Sequence, residues 1–150
     1  MQIRRSSHGF ISIWVSKLKD HSISEDQARY ATSIVAKYLE TATVNVSNKF
    51  YKTTLRAEMI FTKEDVSRSD EQVEKFTREY NIHYRVCIVS LIYILFTRVD
   101  LILSVHKLAK FSANPGKVHF EGLVHLLRYI RDNKYLGLKY YADLNDALLL

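Results

Sequence analysis

The stretch Val86-Cys-Ile-Val-Ser-Leu-Ile-Tyr-Ile-Leu-Phe96, broken by Thr97-Arg-Val-Asp100 and resumed by Leu101-Ile-Leu-Ser-Val105, decides how this chain is read. Its first part holds one polar residue, Ser90, so periodicity alone allows a buried helix or a buried strand. It is too short for a membrane span, which needs about 20 apolar residues. Extending it to Val105 would put Arg98 and Asp100 deep in the bilayer, each at a cost of about 2.5–3.5 kcal/mol. A membrane-associated hairpin is therefore the weakest reading. Helix, turn, helix is the expectation. Thr97 and Asp100 form a T-x-x-D capping-box pattern for the second helix. The apolar positions of that helix are Leu101, Ile102, Val105, Leu108, Ala109 and Phe111, with Lys107 and Lys110 outward near its end, where cations suit the dipole.

Downstream, Asn114-Pro-Gly116 is a stop and a turn. A third helix is expected over Lys117–Asp132, burying Phe120, Leu123, Val124, Leu127 and Ile130. Gly137–Tyr141 reads as a strand and Asp143–Leu150 as a tail. Upstream, Phe10–Val15 is rich in β-branched and aromatic residues and reads as a strand, with Lys17–His21 as a polar turn. Ser24 and Gln27 make an S-x-x-Q pattern, with Glu25 and Asp26 in the first turn of a helix carrying Tyr30, Ala31, Ile34, Val35, Tyr38 and Leu39 on one face. Thr41–Ser67 has no sustained period and reads as a long connection with one short extended piece near Val44–Val46. Ser69 and Gln72 repeat the capping pattern before a short helix to Tyr80, with Val73, Phe76 and Tyr80 on its apolar face.

The fold class that follows is α+β and helix-dominated: a helical bundle over about 84–132 with short flanking strands. Four segments are expected. They are a strand and helix (1–40), a linker with a short helix (41–82), the central helices (83–141) and a tail (142–150).

Of 150 residues only 4 are Gly and 1 is Pro, which argues against linker-rich or repetitive chains. The lone Cys87 can form neither an internal disulfide nor a zinc cluster and reads as a buried apolar residue. The amino terminus lacks the apolar core of a signal peptide, so an intracellular, non-secreted protein is expected. The net charge is +6, and its distribution is uneven. Residues 84–139 hold 9 basic and 3 acidic side chains, 9 − 3 = +6, so the central stretch carries the excess. Such a surface suits an anionic partner such as nucleic acid, or is simply solvated.

The order of words here resembles a known family. Tyr84…Ser90-Leu91-x-Tyr93, Thr97-Arg98-x-Asp100, Asn114-Pro115…His119, Leu127-Arg-Tyr-Ile130 and Gly137-Leu138-x-Tyr140 run in the order and spacing of the segment after the palm in copia-type LTR retrotransposon reverse transcriptases. Ile23-Ser24…Gln27…Tyr30-Ala31…Ile34…Lys37 and Thr53-Thr54-Leu55…Phe61–Asp65 are similar to elements just upstream of it. The resemblance covers about residues 22–141. It implies thumb and connection helices over 84–132, with a template–primer duplex of RNA or DNA and the remaining parts of a Pol polyprotein as partners. It implies that Arg85, Val89 and Tyr93, at i, i+4 and i+8, share the side of the first thumb helix that faces the duplex. Val89 and Tyr93 read equally well as core. Arg128, Arg131 and Lys134 would add phosphate contacts, or form a solvated helix face.

Three positions depart from the family pattern. Val89 stands where the family has Gly, and Val99 and Thr54 stand where it has Pro. A β-branched side chain at 89 obstructs the close backbone approach that Gly permits. The parent family uses Mg, held by an aromatic-x-Asp-Asp word. No adjacent Asp pair exists in this sequence, so no catalytic residue, metal ligand or cofactor is assigned. Tyr141-Ala-Asp-Leu144 has that word's outline with one Asp missing, and it follows the thumb instead of preceding it. His119 and His125 are six apart and off a common helix face, which does not suit a metal pair. The leading expectation is a truncated, degenerate reverse-transcriptase fragment that is silent alone and retains affinity for nucleic acid. The alternative is a small basic module binding nucleic acid or a partner.

Overall fold

The computed structural model describes residues 12–18, 22–43 and 49–141. It is α+β and helix-dominated. Strands β1 (Trp14–Lys17), β2 (Ile23–Asp26) and β3 (Leu138–Tyr140) form an antiparallel sheet in the order β1-β2-β3. Five α-helices stand among the described residues: α1 (Ala28–Val35), α2 (Asp70–Tyr80), α3 (Tyr84–Ile94), α4 (Ile102–Ala109) and α5 (Lys117–Asp132). A π-helical turn, Ala36–Glu40, extends α1.

The centre is α5. Ten of its residues are buried, from His119 to Ile130, including all five expected apolar positions. It packs against α1, α4 and α2, while α3 packs on α4 and α1. Phe120 stacks on Tyr80 at 5.2 Å and meets Tyr84 edge-on at 5.1 Å, so one side chain joins α2, α3 and α5. The buried Cys87 thiol has its pKa pushed up by desolvation and behaves as an apolar residue.

Several expectations change. β1 begins at Trp14 and takes in Lys17, while Phe10 and Ile11 lie outside the described residues, as do Val44–Val46 and the tail from Ala142. Ser24–Asp26 is not the start of a helix. Ile23 pairs with both Lys17 and Tyr140, so sheet pairing on both edges overrides the capping pattern. Helix α1 starts at Ala28, whose amide donates to Asp26 Oδ1 at 3.0 Å. Ser69 is the N-cap of α2 but makes no side-chain cap; Gln72 instead accepts from the Arg68 amide at 2.9 Å. The long connection contains a helical turn at Lys63–Asp65 with its own capping box, Thr62 with Asp65.

The Thr97–Asp100 capping box is also absent. Thr97 is buried and donates its hydroxyl to Gln27 Oε1 at 2.9 Å, at the head of α1. Asp100 lies within a short 3₁₀ turn, Val99–Leu101, and pairs with Arg98 instead. The break after α3 is therefore held by a buried polar cluster, and α4 begins behind it.

Gly116 opens α5. Its amide donates to His119 Nδ1 at 2.9 Å, and a Cβ there would overlap the Asp65 carbonyl oxygen. Gly116→Ala is expected to lower unfolding stability by about 1–3 kcal/mol, because backbone, not a side chain, would have to move. A urea melt checks this, and an unchanged midpoint would mean that the Lys63–Asp65 turn yields freely.

Candidate functional site

Helix α3 forms over an apolar run interrupted only by Ser90, with no Gly or Pro in it. It is buried on one side, through Tyr84, Cys87, Ile88, Leu91 and Ile94, spaced i, i+3, i+4, i+7 and i+10. Ser90, the polar residue of the run, fixes the helix against α1. Its hydroxyl donates to Val86 O at 3.0 Å, which makes Tyr38 the donor to Ser90 Oγ at 3.1 Å, and Tyr30 OH donates to Ser90 O at 3.2 Å.

The opposite side is open. Arg85 is exposed, Val89 is 61% exposed and Phe96 66%, and Val86 and Ile92 also face out. Tyr93 is half-buried, edge-on to Tyr30 at 4.8 Å and to Phe96 at 6.0 Å. Arg85, Val89 and Tyr93 thus share one side, and Val89 is not core. A helix apolar all round is normally buried all round. Here one side has no covering element among the described residues, and seven of fifteen exposed large apolar side chains fall between Val86 and Leu103.

Arg128, Arg131 and Lys134 occupy a different place. Arg128 Nη1 donates to Tyr51 OH at 3.1 Å and its guanidinium lies over the Tyr51 ring. Arg131 pairs with Asp132 at 2.7 Å, and its Nη2 reaches Lys49 O at 3.5 Å. Lys134 lies over the ring of Tyr135. Both arginines hold residues 49–51 against α5, with help from Tyr51 N to Asp132 Oδ2 at 2.8 Å and Asn133 Nδ2 to Tyr51 O at 3.0 Å. Five of the six expected residues therefore split between an open helix side and a structural seam, and Lys134 stands apart over the exposed Tyr135.

The charged centre of the fold is Arg98, whose side chain is 2% exposed. Its Nε and Nη2 donate to the two Asp100 oxygens at 2.9 and 2.8 Å, and Nη1 donates to Asn133 O at 2.9 Å. Tyr129 OH donates to Asp100 Oδ2 at 2.9 Å. Burial acts to raise the Asp100 pKa, but the bonds and charge of Arg98 and the Tyr129 hydroxyl outweigh it and hold it below the usual carboxylate value.

Both buried histidines are pushed the other way. Burial lowers the pKa of His119 against the partial offset of Asp65, and burial lowers that of His125 with Arg56 and Arg128 adding to it. His119 stacks on Phe111 at 4.1 Å, and His125 Nε2 bonds to Thr53 O at 3.0 Å. Because that partner is a carbonyl, Nε2 carries the proton in the neutral ring. The unfolded chain binds protons below about pH 6.5 that the folded ring positions resist, so stability rises with pH across that window. The urea midpoint is expected to be flat from pH 8 to 7 and to fall from about pH 6.5 downward, with the loss of the Asp100 contribution following only at stronger acidity. A midpoint unchanged at pH 5 would contradict this.

Sequence reasoning missed Val86, Ile92 and Phe96 as surface residues, since a uniform run gives no sign of which side is out. It also missed the grouping of Lys49, Lys52 and Arg56 around His125. There the interleaved Lys49-Phe-Tyr-Lys52 was a usable signal.

Among the described residues no group of three or more His, Cys, Asp or Glu is placed to hold a metal ion, and no helix is long and apolar enough to cross a membrane. No family model matches this chain, and neither the curated proteins nor the solved structures give a match.

Proposed function

We propose that this chain is a catalytically silent binding module of copia-type reverse-transcriptase descent, and that the open side of α3 is where a template–primer duplex docks. The descent is supported by the five words in order, and the silence by the lack of an adjacent Asp pair. The observation that carries the docking surface is that α3 presents Arg85, Val89 and Tyr93 together on a side left uncovered among the described residues. Arg85 reaches phosphate, while Tyr93 and Val89 offer apolar contact to sugars and base edges in a groove.

A second reading has its own support. Val86, Ile92 and Phe96 widen the open side into an apolar patch, and such patches mark protein interfaces. A protein partner, such as another part of a Pol polyprotein, would cover it.

Salt separates the two. For duplex docking, affinity for an RNA–DNA hybrid falls steeply as salt rises, and Arg85→Glu lowers it at all salts and reduces the log–log slope by about 1. Hybrid binding that ignores Arg85→Glu would sink the duplex reading. Primer extension with Mg²⁺ is expected to yield no product, and template-dependent synthesis by the purified chain would sink the silence.

A further inference from the structure

A second site stands at the seam where residues 49–51 meet α5. Residues 49–58 run along α5 and enclose a cleft of about 620 Å³, lined by Lys49, Phe50, Lys52, Arg56, Glu58 and His125 among others. A second cleft of about 330 Å³ shares Arg56 and His125 with it and adds Arg128 and Glu121. Ligand pockets fall in this size range. Together the two linings hold four cations against two carboxylates, 4 − 2 = +2, which makes this region positive. Phe50, Lys52 and Arg56 are exposed, so the ring and two of the charges stand in solvent at its mouth. The floor is fixed: Tyr51 is tied to Asp132 and Asn133 through its backbone, and the Thr53 carbonyl to His125. The backbone is thus set in advance, and a ligand has to order only the exposed side chains of Phe50, Lys52 and Arg56.

From this arrangement we infer that the cleft binds a mononucleotide-type ligand, with its phosphates on Lys52 and Arg56 and its flat ring on Phe50. Arg presents a fork that matches phosphate oxygens in pairs, and Lys adds a point charge beside it. A lone carboxylate ligand would engage one cation and leave the rest of the cleft empty. A phosphate chain with a sugar and a ring spans the charges and reaches the aromatic side chain. His125 is held neutral by burial, so it adds no charge and serves as wall. This site shares no residue with the open side of α3, and neither assignment depends on the other.

Calorimetric titration with ATP and, separately, with inorganic triphosphate tests it on the full chain at low salt. ATP is expected to bind about tenfold more tightly than triphosphate, the margin that one ring stacked on an aromatic side chain supplies. Lys52→Glu with Arg56→Glu should weaken both at least about tenfold, as loss and reversal of charge-assisted bonds requires. Phe50→Ala should bring ATP down to the triphosphate level and leave triphosphate unchanged. These side chains are exposed, and an unchanged thermal melt confirms that each variant folds; Lys52→Ala with Arg56→Ala replaces the double reversal if it does not. ATP that does not bind, or that binds equally well to the charge variants, overturns the site. ATP no tighter than triphosphate, or unaffected by Phe50→Ala, overturns the placement of the ring.

Discussion

Arg98→Ala is expected to lower unfolding free energy by about 2–4 kcal/mol, because it removes a fully buried side chain and leaves Asp100, itself 33% exposed, without its cation. The guanidinium does three things at once. It neutralises Asp100 through two bonds, caps the Asn133 carbonyl at the end of α5, and holds Asp100 where Tyr129 OH reaches it. Removing it leaves the Asn133 carbonyl without that donor and Asp100 with the Tyr129 hydroxyl but no cation, and each such group bears its own desolvation cost. Arg98→Met separates charge from volume. It keeps the stem packing but still orphans Asp100, so it should remain strongly destabilised. Adding Asp100→Asn should recover part of the loss, because the orphaned charge is gone. Denaturant melts of the three variants settle this. A loss under about 1 kcal/mol for Arg98→Ala would mean that the pair behaves like a surface salt bridge.

Phe120→Ala is the second large effect, at about 3–5 kcal/mol. The ring has no exposed surface and touches Tyr80, Tyr84 and Phe76. Its removal opens a cavity where three helices meet, and Tyr84 cannot move in to fill it without giving up its hydroxyl bond to Leu108 O at 2.9 Å. Amide exchange should report the loss in α2 first, since α2 buries only Tyr80 fully and has the least to hold it. A variant that melted like the parent would mean that the aromatic cluster repacks around the gap.

These residues show what the sequence could and could not tell. Helix α5 was readable in its bounds and its apolar face: five apolar positions at helical spacing, with Asn114-Pro-Gly116 before them, place it from Lys117 to Asp132. The turn after α3 was readable as a break but not as a structure. Thr97 and Asp100 have the local spacing of a capping box, yet Gln27 is 70 residues away in sequence and Arg98 is the nearer charge. Local words lose where a distant partner offers a buried bond. Ser24 and Gln27 fail likewise, because two strand partners outbid one cap. The site divides along the same line. Arg85, Val89 and Tyr93 do share a side, since three points at i, i+4 and i+8 must if the segment is a helix. Arg128 and Arg131 look equally free in sequence, and only the fold shows them bonded to Tyr51 and Asp132. Nothing in a uniform apolar run marks Val86, Ile92 and Phe96 as outward-facing.

Of the positions that differ from the resembled pattern, Thr54 has a local account and nothing in the structure explains Val99. Thr54 accepts a hydrogen bond from Ser104 at 2.6 Å, which a Pro could not do. Val99 sits at the first position of the 3₁₀ turn, a place Pro suits. Val89 differs in kind: its side chain stands on the open side of α3 itself, between that backbone and any ligand.

The most direct test of the central claim is methyl NMR of the chain titrated with an RNA–DNA hybrid at low salt. Docking on α3 predicts shifts for the methyl groups of Val86, Val89 and Ile92, with those of the buried Ile88 and Leu91 little moved. A hybrid that binds while these three outward methyls stay in place would contradict it.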